Sequence, residues 1–329
     1  MVSPPIGETD VSFHAAVADD EAVPCLTVST DAATRPTTPD PNTVAIWAAR
    51  LVWVVVALTG ALAVDGALAS ADTLARVVVP VVWWAVVGGV VVALVVPAPA
   101  GLTATRLVVP LVIALAIGCL AAGTTTAWST TFLVASLGAV GVVCAPEFAG
   151  AMVQGSAYGN ERRFPLRAPA NVLLPMLVTW LAWAGCTIAA IITLTRSAVA
   201  VGAVLAAVSV AGGVVLSPRF HRLSRRWLVL VPAGVVVHDP LVLGETLMAT
   251  RADVRRVGLA AADSEAADLS GPAAGHLVEV VLRDMALAVF PATAEHPQGR
   301  AIHVQSYLVA PSRPGAALRA MAEARFPVG

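Results

Sequence analysis

The chain has 329 residues, of which 58% are apolar and 12% charged, with a formal net charge of −1. Soluble globular chains carry about 25% charged residues, so the composition excludes an ordinary soluble domain, and the near-neutral balance gives no field for nucleic acid or an acidic substrate. All 20 basic residues are arginine and none is lysine, which excludes Schiff-base, Ser-Lys and P-loop lysine chemistry.

Residues 1–43 are acidic, rich in Pro, Thr, Asp and Ala, and lack apolar periodicity, so a disordered tail is expected. The first apolar run follows this tail and is too long for a signal-peptide core. Thr37 and Thr38 are candidate phosphate acceptors, against a plain solvated tail.

About twenty apolar residues cross a hydrocarbon core of ~30 Å as a helix that satisfies its own backbone. The sequence offers six such spans, at 44–64, 77–96, 106–122, 126–144, 171–194 and 198–217. Arg50 falls inside the first, within about two turns of its end, where it is expected to snorkel. Pro80, Pro110 and Pro175 are placed in first turns, where a missing N–H costs little.

Arginines set the orientation. Arg50, Arg106, Arg162, Arg163, Arg167, Arg219, Arg222, Arg225 and Arg226 fall on one side, against Arg76 and Arg196 on the other. The positive-inside rule then puts both termini in the cytoplasm and the protein in the cell (inner) membrane. Trp47, Trp128 and Trp227 are expected at the interfaces, and Trp53, Trp83, Trp84, Trp180 and Trp183 deeper, as packing residues. Small residues such as Gly88, Gly89, Gly118, Gly138, Gly141, Gly212 and Gly213 are expected to let helices approach closely. A neutral-substrate pathway lined by them is the alternative.

With the spans so bounded, no titratable group falls in mid-span, where proton relays, ion pathways and intramembrane proteases need one. Cys25, Cys119, Cys144 and Cys186 form no CxxC pair, and the six histidines are isolated. No catalytic, cofactor or metal residues are therefore assigned, and no enzyme activity is expected.

The loop at residues 147–167, EFAGAMVQGSAYGNERRFPLR, has two readings. One is a positive-inside anchor with Phe164 and Leu166 dipping into the interface. The other is an anionic lipid or headgroup contact through Arg162, Arg163 and Arg167, worth about 1 kcal/mol per arginine. The run QGSAYGNERRFPLR, two further spans and SRRWLVLVPAGVVVHDPLVL resemble a family of uncharacterised multi-pass membrane proteins from actinobacteria, over residues 44–329. The resemblance implies host type and topology, and no catalytic residues.

After residue 217 the pattern alternates and gains charge, which marks a boundary between a transmembrane domain at 44–217 and a small domain at 218–329. Residues 227–231 and 235–239 flank Pro232-Ala233-Gly234 as an expected hairpin. Further strands are expected at 245–250, 254–260, 276–282, 285–290 and 302–309, with a loop at 261–275. A C-terminal helix follows, N-capped by Ser312, with Pro314 in its first turn and Leu318, Met321 and Phe326 on its apolar face. The fold class expected is thus a membrane all-α bundle of six transmembrane helices, then a small cytoplasmic β-rich domain with a C-terminal helix. That order is similar to bacterial pleckstrin-homology-like (PH-like) domains, with another small β-sandwich or α+β domain as the alternative.

The resemblance to PH-like domains implies binding of lipid or a protein segment. Arg219, Arg222, Arg225 and Arg226 on the last helix exit are candidates for acidic lipid, against simple anchoring. The expected function is a non-enzymatic scaffold or regulator of the cell envelope, with membrane lipids and a protein partner of the C-terminal domain as its contacts, and no nucleic acid. A transporter or flippase-like conduit for an uncharged or lipidic substrate is the alternative.

Overall fold

A computed structural model describes residues 40–122, 127–196, 198–292 and 296–329. The tail expected at 1–43 lies outside the described residues except for its last four, and so do Cys25, Thr37 and Thr38.

Six helices are long and apolar enough to cross a membrane. They are α1 (Pro41–Ala67), α2 (Thr73–Val95), a broken third formed by α3 (Pro99–Val108) and α4 (Leu111–Ala121), α5 (Ala127–Cys144), and, after a short α6 (Pro146–Gln154), α7 (Ala170–Thr195) and α8 (Val199–Ser224). Several boundaries differ from expectation, and three of the shifts bear on packing. Helix α1 starts at Pro41 because Asp40 caps it, accepting the Asn42 N–H at 3.2 Å. The third helix starts at Pro99, seven residues early, where proline suits the first turn and Leu102, Thr103 and Thr105 are buried. Helix α8 runs to Ser224, so the domain boundary moves past the Arg219–Arg222 turn.

The early start places Pro110 mid-helix instead of in a first turn. Its missing N–H breaks the ladder, and the chain continues through tight three-residue bonds, Val112 N to Val109 O at 3.1 Å and Ile113 N to Pro110 O at 3.3 Å. The Leu107 carbonyl accepts instead from Trp180 Nε1 at 3.1 Å, which ties α7 to the break. Pro80 and Pro175 also lie inside their helices.

The same shift puts Arg106 inside a span, where it donates from Nε to Val143 O at 3.1 Å. Arg50 does likewise, from Nε and Nη2 to Leu94 O at 3.2 and 3.0 Å. Both acceptors sit in the last turn of an antiparallel neighbour, where carbonyls lack helical partners and the dipole favours a cation.

Helices α1 to α6 share one core around Trp53, Trp83, Phe132, Phe148 and Met152. The α7–α8 hairpin stands outside it, clasped by Trp183 Nε1 to Ser209 O at 2.9 Å and by the Thr187 and Ser209 hydroxyls at 2.5 Å. Trp84 is exposed, so it is not the packing residue expected. Of the glycines expected at close approaches, Gly88, Gly89, Gly118, Gly138 and Gly141 meet nothing a Cβ would touch; Gly212 and Gly213 face Trp183. Tight contacts occur instead at glycines such as Gly101, Gly202 and Gly60, the last under Trp83 and Phe132, which pack edge to face with centroids 5.4 Å apart.

The rest of the chain forms two four-stranded sheets and a helix. The first sheet runs β1 (Arg162–Pro165), β2 (Trp227–Val231), β3 (Gly234–His238), β4 (Leu247–Thr250), all antiparallel. The second runs β5 (Val254–Leu259), β7 (Val278–Phe290), β8 (Arg300–Val309), then the short β6 (Ala267–Asp268), which is parallel to β8. Helix α9 (Pro314–Glu323) closes the unit with Met321 buried. Its cap is Arg313, not Ser312, because the first helical bond, from Ala317 N at 3.1 Å, is accepted by the Arg313 carbonyl.

Two strands expected at 276–282 and 285–290 are one strand, irregular between Val281 and Ala286. The loop expected at 261–275 contains β6. The largest departure is β1: the segment between α6 and α7 is not a free loop but the edge strand of the first sheet. Phe164 and Leu166 pack in the core of the β unit with Leu228, Val235 and Tyr307, so neither is available to the bilayer interface.

Replacing Gly60 by Ala places a Cβ 2.3 Å from the Trp83 ring, and overpacking of this kind costs about 1–3 kcal/mol. Thermal unfolding in detergent should show a lowered midpoint for Gly60→Ala and none for Gly88→Ala; equal midpoints would contradict the packing described.

Candidate functional site

Three segments bring the chain's basic residues to one end of the bundle: residues 154–167, the exit of α8, and the start of α9. The first is folded around Gln154. Its side chain accepts the Arg163 N–H at 2.9 Å and donates to Glu161 O at 2.9 Å, closing the loop that carries Tyr158 and Gly159. Gly159 takes φ +55°, which suits glycine. The Glu161 carboxylate accepts from Arg163 Nη2 at 2.6 Å and from the Tyr158 N–H at 2.5 Å, and Ser156 accepts from Arg163 Nη1 at 2.9 Å.

Arg163 thus points inward. Its guanidinium lies 5.3 Å from the Trp227 ring centroid, and His238 stacks on the same ring at 5.1 Å. Strand register explains this, since Pro165, Trp227 and His238 are paired across β1, β2 and β3, with Arg163 opposite Val229 one step along. Trp227 also packs against the helical core. It is therefore a joint between the β unit and the bundle, where an interfacial position was expected.

His238 shares Nδ1 with the Thr246 hydroxyl at 3.2 Å, while Nε2 is enclosed and has no partner. Burial, aided by the cations Arg225 and Arg163 and opposed by Asp239, pulls its pKa below the usual histidine value.

Beside it, Arg226 and Asp239 form an ion pair with both side chains fully buried. Nε donates to Oδ1 at 2.8 Å and Nη2 to Oδ2 at 2.6 Å. Two further N–H groups reach Arg167 O at 2.5 Å and Ser270 O at 3.2 Å, and Oδ1 also accepts the Leu241 N–H at 3.1 Å. Arg226 thus joins β2, the end of β3, the chain leaving β1 and the loop after β6. Bidentate geometry and filled donor positions are what a buried pair requires.

The last element is Arg313, at the start of α9. Its Nη1 donates to Asn42 Oδ1 at 3.1 Å, and its Nε lies 3.4 Å from Glu147 Oε1, so it joins the β unit to the first turns of α1 and α6. A cavity of about 170 Å³ opens here between Arg162, Arg163, Arg313, Arg319, Asp40 and Glu323. Three of its four arginines are matched by carboxylates, at Glu323, Glu161 and Glu147. The charges mostly cancel, which makes this a junction and a poor anion cradle.

The arginines singled out from sequence therefore separate. Arg219, Arg222 and Arg225 are exposed, and their side chains make no hydrogen bond or ion pair among the described residues, as an anchor or a lipid contact needs. Arg162 is half exposed but paired with Glu323 at 2.5 Å. Arg163 is enclosed in its own loop, and Arg167 donates to His276 O and, through its N–H, to Ala310 O. Arg226 is withdrawn from solvent, so no headgroup reaches it; the exit turn delivers it into the β core. Among the described residues no group of His, Cys, Asp or Glu is arranged to hold a metal.

Sequence reasoning missed Asn42, Glu147, Asp239 and Arg313. The expected hairpin, turning on three residues, sets Asp239 opposite Trp227; the observed register is shifted by one, pairing Val231 with Gly234 and Trp227 with His238, and brings Asp239 level with Arg226. The others are joined over long separations, and no local pattern marks them.

Arg226→Met leaves Asp239 buried and unpaired, a loss of about 3–5 kcal/mol. The double variant Arg226→Met/Asp239→Leu should lose clearly less in denaturant unfolding followed by Trp227 emission; equal losses would refute the pairing. For His238 the folded pKa lies below the unfolded value of about 6.5, so the unfolded state binds more protons. Its contribution is complete above that pH and is lost as pH falls through it toward the folded value. Melting midpoints across about pH 5–8 should fall on acidification, and less steeply in His238→Phe; parallel curves would rule this out.

Comparison with protein-family models, with curated proteins and with solved structures finds no match to this chain.

Proposed function

We propose that the chain is a non-enzymatic integral membrane protein of the cell envelope, which holds a PH-like β domain fixed at the cytoplasmic surface as a scaffold or regulator for a protein partner. The observation that carries this reading is the threading of the domain. Its first strand comes from between α6 and α7 and its remaining strands from beyond α8, so two separate chain passages leave the bundle to build one sheet.

A domain tethered at one end swings on its linker. This one is held by β1, by Trp227 against the helical core and by Arg313 on Asn42 and Glu147. Such mounting serves presentation at a set height and orientation. Two four-stranded sheets followed by a closing C-terminal helix support the PH-like reading. The unpaired Arg219, Arg222 and Arg225 on the domain side support the cytoplasmic orientation and contact with acidic lipid.

The conduit reading has one observation in its favour, an apolar cavity of about 240 Å³ between α2, α4 and α7 that includes Val82, Val86, Leu111, Leu115 and Ile188. That lining suits an acyl chain and offers no hydrated path for a polar solute.

Spin labels at Ala100 on α3 and Ala261 after β5, in a chain with its native cysteines replaced, test the mounting. A narrow distance distribution is expected, broadened by Arg313→Ala with Glu147→Ala. A broad distribution in the parent chain, or rapid movement of fluorescent lipid between leaflets of reconstituted vesicles, would reject the scaffold reading.

A further inference from the structure

The β unit carries an open groove on its surface. It lies between β4 and the irregular middle of β7, encloses about 460 Å³, and is lined by Met248, Met285, Leu287, Asp253 and Asp284 among others. Met248, Met285 and Leu287 are 50%, 65% and 52% exposed, although large apolar side chains gathered at one place on a surface mark a contact site. The backbone here is also incompletely paired. Strand β4 ends its sheet, and β5 pairs with β7 only as far as Val254 with Leu282. Two single bonds close the ends of the gap, Arg283 N to Asp253 O at 2.7 Å and Gly244 N to Val289 O at 2.8 Å.

Between those bonds lie residues 284–288, about 16 Å of strand at 3.3 Å per residue. Among the described residues no backbone bond joins this stretch to β4, and Ala286 to Ala288 are paired only with β8. Both charged side chains that line the groove are acids, and the Asp284 carboxylate makes no hydrogen bond or ion pair among the described residues. Two exposed methionines give a surface that reshapes around an apolar side chain, as thioether chains do.

We propose that this groove binds a short peptide segment of a protein partner, about five residues long, with apolar side chains set between Met248, Met285 and Leu287 and a basic residue on Asp284 and Asp253. An anionic bilayer is the wrong occupant, because both acids would face like charge. The inference rests on the domain being a partner-binding module, and it supplies the chemistry of the partner and the place where it binds.

The probe is a fluorescein-labelled peptide of alternating valine and arginine, with an alternating valine and glutamate peptide as its opposite, added to the full chain in detergent or nanodiscs. Saturable anisotropy is expected for the arginine peptide, with hydrogen-exchange protection at residues 247–250 and 283–288. Binding should weaken about tenfold in Met285→Glu and in Leu287→Ser, as expected when a central apolar anchor is removed. Asp284→Arg should weaken the arginine peptide and improve the glutamate peptide, an exchange that misfolding cannot produce. Arg313→Ala with Glu147→Ala should leave peptide binding intact, so failure of the mounting and failure of the groove are read separately. No saturable binding, binding unchanged by the groove variants, or a signal seen only with phosphatidylglycerol vesicles would overturn the proposal.

Discussion

The β unit is organised around one buried ion pair. Arg226 and Asp239 leave water completely, and such a transfer is tolerated only when each donor and lone pair finds a partner. Meeting that demand fixes four chain segments at once. The Arg167 carbonyl has to arrive from β1, Asp239 from the end of β3, Ser270 from the loop after β6, and Arg226 itself from the turn that ends α8. The pair therefore sets where the last long apolar helix stops and where the first sheet begins.

The same demand reaches the helical bundle. Since β1 has to reach β2, the segment between α6 and α7 cannot lie free on the surface, and the loop around Gln154 and Glu161 serves to aim it. Arg163 is the hinge of that aim, held by Glu161 and Ser156 on one side and by Trp227 on the other. On the bundle side Arg50 and Arg106 have a comparable task, closing the carbonyl ends of α2 and α5. Arginine's planar fork suits all of these places better than an ammonium, because each asks for donors in fixed directions. A chain without lysine, read from composition alone, gives no hint of this.

Local patterns made much legible. Six apolar runs, the β2–β3 hairpin around Pro232-Ala233, most strand positions and the apolar face of α9 follow from periodicity and turn chemistry, which act over a few residues. The errors share a cause as well. Pro99 to Thr105 is too polar for a hydropathy reading to join it to a span, yet helix packing buries Leu102, Thr103 and Thr105. Glycines suggested close contacts, but only the facing chain determines where a Cβ would clash, at Gly60, Gly101 and Gly202 among others. Phe164 looked interfacial because its neighbours are arginines; its partner strand begins more than sixty residues later, at Trp227.

What the sequence determined by itself was the number of apolar helices, the side that collects arginine, and the alternation that makes the last third a sheet. These depend on composition and on periods of 3.6 and 2 residues, which a chain carries along its length. Tertiary structure alone decided which arginines are free and which are spent. Arg219, Arg222 and Arg226 lie within eight residues at the exit of α8, alike in charge, yet of the three Arg226 alone meets a buried carboxylate. Desolvation separates them, and desolvation depends on what folds over a residue, a property of the whole chain and of no segment within it.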